Sequence, residues 1–122
     1  MKLKILVATA LAMAPLVAFA HAPKTGHNGG PQADAGGFHV EIKPEGTSLA
    51  VFLRDHADNE VTTSGYKGTA IFLIDGKAER IPLAPAGGNR LTGTATVSLP
   101  PSPKGTVQIT TPTGSTVQGR FN

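Results

Sequence analysis

Four histidines, His21, His27, His39 and His56, fall in the first half of a 122-residue chain, and residues 57 to 122 contain none. Imidazole nitrogens bind transition-metal ions and move protons near neutral pH, so the clustering sets the chemistry to consider. His27 stands in "HNGG", where Gly29 and Gly30 permit backbone angles and close approaches that a side chain blocks. His39 stands in "FHVEI" beside Glu41, and His56 in "RDHADNE" between Asp55 and Asp58. A carboxylate beside an imidazole either binds the same ion or accepts the other ring N–H and fixes the tautomer. Alternatively, aspartates in such a segment only bend and cap the chain. The chain has no cysteine, and its two methionines, Met1 and Met13, lie near the start. Candidate ligands therefore offer nitrogen and oxygen, the donors that suit Cu(II), Zn(II) or Ni(II), whereas sulfur selects Cu(I). His27, His39 and His56 are the candidate metal ligands, with Cu(II) favoured and Zn(II) or Ni(II) the alternatives; since Cu(II) outcompetes other divalent ions at most nitrogen sites, affinity alone does not identify the physiological metal.

Residues 1–22 read as a signal peptide: Lys2 and Lys4, an apolar run from Ile5 to Phe19, then the small-x-small patterns Ala18-Phe19-Ala20 and Ala20-His21-Ala22. Cleavage after Ala20 makes His21 the N-terminal residue, able to chelate through its amine and its ring. Cleavage after Ala22 removes it. The expected location is the periplasm, with no membrane anchor on the mature form, because the apolar run is shorter than the roughly 20 residues of a membrane span. Without Lys2 and Lys4 the chain keeps nine basic and eight acidic side chains, a balance that gives no reason to bind nucleic acid.

Residues 23–37 carry glycines, prolines and no apolar side chain larger than alanine, and are expected to form a flexible, irregular arm. From residue 38 the period becomes two. "GFHVEIK" puts Phe38, Val40 and Ile42 on one face and His39, Glu41 and Lys43 on the solvent face. "TSLAVFLR" pairs with it across a turn. "GTAIFLID" reads as a central strand, and Asp75-Gly76 turns it into "KAERIPL", where Pro82 suggests a sheet edge. "NRLTGTATVSL" turns Leu91, Ala95, Val97 and Leu99 inward, and "GTVQITT" and "STVQGRF" are joined through Pro112-Thr113-Gly114. The expected fold is all-β: residues 38–122 as an antiparallel sandwich of about seven strands, immunoglobulin-like or cupredoxin-like in outline.

This reading carries a geometric difficulty. A turn at Glu45-Gly46 sets Phe52 opposite His39 and leaves His56 four residues further along the same face, a gap of roughly 13 Å. One ion held at about 2 Å from each nitrogen cannot bridge it, so the "DHADNE" loop must curl back, the register must shift, or there are two sites.

The run His27-x-Gly29-Gly30, Asp34, Gly36-Gly37, Phe38-His39-Val40-Glu41-Ile42 and then "VFLRDHAD" resembles a segment near the start of periplasmic adaptor subunits of heavy-metal efflux pumps, and of small stand-alone periplasmic proteins, covering residues 27 to 60. Asn28 is an insertion relative to that pattern, and the long helical hairpin and barrel of an adaptor are missing. The resemblance implies a protein that binds or buffers a transition metal through His27, His39 and His56, with an efflux component as a partner. The rival reading is an exported interaction module with incidental histidines. Catalysis is not expected: Ser64, Ser98, Ser102 and Ser115 lack the glycine elbow that presents a nucleophile.

Overall fold

The computed structural model describes residues 24–122; the expected signal peptide, its cleavage and His21 lie outside the described residues. Among the described residues are nine strands and no helix: β1 (Lys24–Thr25), β2 (Pro31–Ala35), β3 (Phe38–Glu45), β4 (Ser48–Asp55), β5 (Lys67–Ile74), β6 (Lys77–Pro85), β7 (Arg90–Thr94), β8 (Lys104–Thr110) and β9 (Thr116–Phe121). All pairs are antiparallel, in the order β1-β2-β3-β4-β7-β6-β5-β8-β9. The strands follow one another in a sheet that curls into a half-barrel, with nine strands where about seven were expected. Strand β6 makes the bend, because Gly68↔Leu83 through Ile74↔Lys77 ladder it to β5 while Ala84 and Pro85 pair with β7.

Alternation along the strands builds the core. Val40 and Ile42 of β3, Leu49, Val51 and Leu53 of β4, Phe72 of β5, Ile81 of β6, Leu91 of β7 and Val107 and Ile109 of β8 are fully buried on the concave side. Tight turns hold the register. Asp75 and Gly76 both have positive φ, 50° and 80°, in the two-residue link between β5 and β6, the backbone a primed turn requires.

Two expectations change. From Lys24 on, the segment expected to be an irregular arm is not one: Pro31–Ala35 is a strand paired along β3, and Lys24–Thr25 pairs back onto it. Val97 is not turned inward; β7 ends at Thr94, the alternation no longer applies, and Val97 is 41% exposed. Pro82, by contrast, lies where β6 is laddered to β5 alone, its other side unpaired until Ala84 and Pro85 meet β7, so it does occupy a local edge. β2 also escapes notice for a physical reason. Its inward residues must be small, since β9 lies against it: a Cβ on Gly119 would sit 3.4 Å from the Ala35 Cβ and 3.3 Å from the Asp34 carbonyl oxygen.

Candidate functional site

The β3–β4 hairpin settles the distance between histidines. Glu45 pairs with Ser48, so the turn is Gly46-Thr47, with Gly46 at φ 62°. Every partner moves by two residues from the expected pairing: Arg54, not Phe52, lies opposite His39. A shift of two keeps each side chain on its face and cuts the separation from His56 to two residues, roughly 7 Å. The His39 and His56 rings have centroids 6.0 Å apart and stand perpendicular, at 90°.

His56 opens a compact turn. Asp58 N–H donates to the Asp55 carbonyl at 2.9 Å, Asp55 N–H donates to the Asn59 carbonyl at 2.8 Å, and Asp58 takes a positive φ of 68°. The Asp55 carboxylate accepts from the Ala57 and Asn59 amides at 3.0 and 2.8 Å. Arg54 donates to the Asp58 carbonyl at 2.8 Å and reaches Glu60 at 3.3 Å. Asp55 is thus a turn former, as the plain reading of an Asp-rich segment has it.

His27 occupies a turn of the same construction. Gly29 N–H donates to the Gly26 carbonyl at 3.0 Å, Gly26 N–H donates to the Gly30 carbonyl at 2.8 Å, and Gly29 has φ 83°. Residue for residue, Gly26-His27-Asn28-Gly29-Gly30 matches Asp55-His56-Ala57-Asp58-Asn59, the three-residue hairpin loop in which the third loop residue is left-handed. Each turn therefore presents a histidine at its first loop position.

The turns touch. His27 Nε2 lies 2.6 Å from the Asp58 Oδ2, and His39 Nδ1 lies 2.9 Å from Asp34 Oδ1, its cross-strand neighbour in the β2–β3 register. The hydrogen bond from His27, together with the positive charges of His27, Arg54 and His39, holds the Asp58 carboxyl below its usual 3.8 despite an opposing desolvation. Because a carboxylate only accepts, Asp34 fixes the proton of His39 on Nδ1 and leaves Nε2 as the lone-pair nitrogen of the neutral ring. Two imidazoles binding one tetrahedral ion at about 2.0 Å have centroids about 5 Å apart, so His39 and His56 need to close by about 1 Å. Among the described residues no three such groups already stand in a metal-binding arrangement; His27 would have to turn from Asp58 to join the pair.

Sequence reasoning named His27, His39 and His56, and the structure gathers them at one end of the sheet. It noted Asp34 only as part of the resembling run and gave it no role beside His39, and it misread Glu41. Glu41 does lie on the face opposite Val40 and Ile42, but it is 3% exposed, because the His27 turn covers it. Compared with protein-family models, curated proteins and solved structures, the chain matches no family, no curated protein and no solved structure.

Proposed function

We propose that the protein is an exported, periplasmic binder of a divalent transition-metal ion, which His27, His39 and His56 grip together for buffering, delivery or resistance. Cu(II) is the favoured cargo and Zn(II) or Ni(II) the alternatives, given donors limited to nitrogen and oxygen. The observation that carries the reading is the convergence of three histidines from separate segments, with the His39 and His56 rings 6.0 Å apart and His27 tied by a 2.6 Å bond to Asp58, in the same turn as His56. His39 contributes Nε2 from rigid sheet, oriented by Asp34. His56 approaches from its turn, and His27 exchanges Asp58 for the ion. Asp58 is then the oxygen donor nearest to hand. An efflux component that receives the ion is the expected partner.

Calorimetric titration of the mature protein with Cu(II) and Zn(II) tests this. Saturable binding near one equivalent, with proton release as imidazoles are deprotonated, is expected, and His39→Ala should weaken it most. Weak, non-saturating heat would sink the reading. It would favour the interaction module with incidental histidines.

A further inference from the structure

Glu41 is a carboxylate with 3% of its surface exposed, and no part of the site described so far uses it. Its partners all come from the His27 turn. Glu41 Oε1 and Oε2 accept from the Asn28 amide at 3.1 and 2.9 Å, Oε1 accepts from the Asn28 side-chain Nδ2 at 3.0 Å, and Oε2 accepts from the Gly30 amide at 2.8 Å. The turn is shaped to lie flat on this group. A Cβ on Gly26 would overlap the Glu41 carboxyl carbon, and one on Gly30 would overlap the Ile42 carbonyl oxygen. Neither glycine has a positive φ; both are glycine because there is no room. Asn28, the insertion that separates His27 from the glycine pair, supplies two of the three donors.

The geometry points to Glu41 as the positioning residue of the histidine site: its buried carboxylate clamps the turn at residues 26–30 onto the outer face of β3 and so places His27 beside Asp58. This rests on the metal-binding reading for its effect on affinity, but the clamp itself is testable without metal. Ionised acceptors make hydrogen bonds roughly twice as strong as neutral ones, and here one carboxylate collects donors on both sides of residue 29. His27 lies between Gly26 and Asn28, the residues in contact with Glu41, so the clamp leaves its backbone little freedom. Glu41 itself stays out of reach of the ion, sealed under the turn it holds.

The test uses Glu41→Gln, which keeps the reach but sets an amide N–H against donors, and Asn28→Ala, which removes the side-chain bond alone and leaves the backbone bonds as a mild control. In the metal-free protein, hydrogen exchange of the Asn28 and Gly30 amides should accelerate ten- to a hundredfold in Glu41→Gln and only a fewfold in Asn28→Ala, with the amides of β5 and β8 unchanged. Titration with Cu(II) or Zn(II) alone should show about a tenfold loss of affinity in Glu41→Gln. Adding His27→Ala to it should cost nothing more, because the histidine is already displaced. Unchanged exchange at Asn28 and Gly30, or losses from Glu41→Gln and His27→Ala that multiply independently, would overturn the clamp. A wild-type protein that binds neither ion would overturn the metal reading, while the exchange data still decide on Glu41.

Discussion

Replacing Gly30 with alanine is the sharpest probe of how tightly the histidine turn is seated. The new methyl meets the backbone carbonyl oxygen of Ile42 and, at 2.9 Å, the Lys43 Cδ. The lysine can move aside; the carbonyl belongs to a laddered strand and cannot. An ordinary carbon–oxygen approach is about 3.3 Å, so the turn must lift by about 1 Å. That stretches the 2.8 Å bond from Gly30 to Glu41 to about 3.8 Å, beyond hydrogen-bonding range. Losing a buried bond to a charged acceptor costs about 1.5 to 3 kcal/mol, and overpacking adds about 1 kcal/mol or more. Against this, alanine narrows the unfolded ensemble by about 0.4 to 1 kcal/mol. The net destabilisation is about 2 to 3 kcal/mol, or a fall in Tm of roughly 8 to 20 °C for a domain of this size. Gly29→Ala separates space from backbone strain, since Gly29 has φ 83° but nothing within 4 Å of its Cβ, so about 1 kcal/mol is expected from conformation alone. Urea unfolding of both variants, with amide exchange at residue 30, checks the order. A Gly30→Ala protein as stable as Gly29→Ala, with its amide at residue 30 still protected, would refute the seating described here.

The Asp58 contact and the facing of β5 are each open to measurement. Asp58 titrates below its usual 3.8 because His27 donates to it; a depressed folded value means that the pair's contribution to stability is present above the unfolded carboxylate's value and lost as pH falls through the lower folded one. NMR titration of the Asp58 carboxyl should therefore give a midpoint below 3.8 in the wild type and an upward move in His27→Ala, and equal midpoints would contradict the contact. Phe72 is fully buried on the strand between β6 and β8, so Phe72→Ala should cost about 3 to 5 kcal/mol in urea unfolding. Its neighbour Leu73, 62% exposed, should tolerate serine within about 0.5 kcal/mol, and a reversed order would deny the facing of β5.

The strands from residue 38 onward were legible because most alternate apolar and polar side chains between turn residues, while β5 showed as an unbroken apolar run, Ala70 to Ile74; Asp75-Gly76 even specified its own hairpin. The sheet's curl was not legible, since curvature depends on how β6 divides its pairing between β5 and β7. Strand β2 has no large apolar residue to betray it. Ala35 is fully buried, yet it is small because β9 presses against it, and an alanine carries little hydrophobic signal. For the site, the side of the sheet was readable and the distance was not. Moving the turn by one residue, from Glu45-Gly46 to Gly46-Thr47, slides the partners by two and preserves their facing. His39 and His56 thus kept their common face while about half of the gap between them vanished.

The glycines around His27 invite the opposite error, because a segment rich in them reads as loose chain. Gly29 does use the freedom of a missing side chain, with φ 83°. Gly26 and Gly30 use the missing volume, letting the backbone lie against Glu41 and Ile42, and close packing of that kind restricts motion. The difference matters for affinity. Ordering a free backbone costs roughly 1 to 2 kcal/mol per residue, so a five-residue arm that folded down only to meet an ion would forfeit several powers of ten in binding, at 1.4 kcal/mol for each. With the turn at residues 26–30 fixed during folding by Glu41, what would remain for the proposed ion is the closing of His39 and His56 by about 1 Å and the turning of one imidazole away from Asp58. These are side-chain adjustments, which cost far less than ordering five residues of backbone.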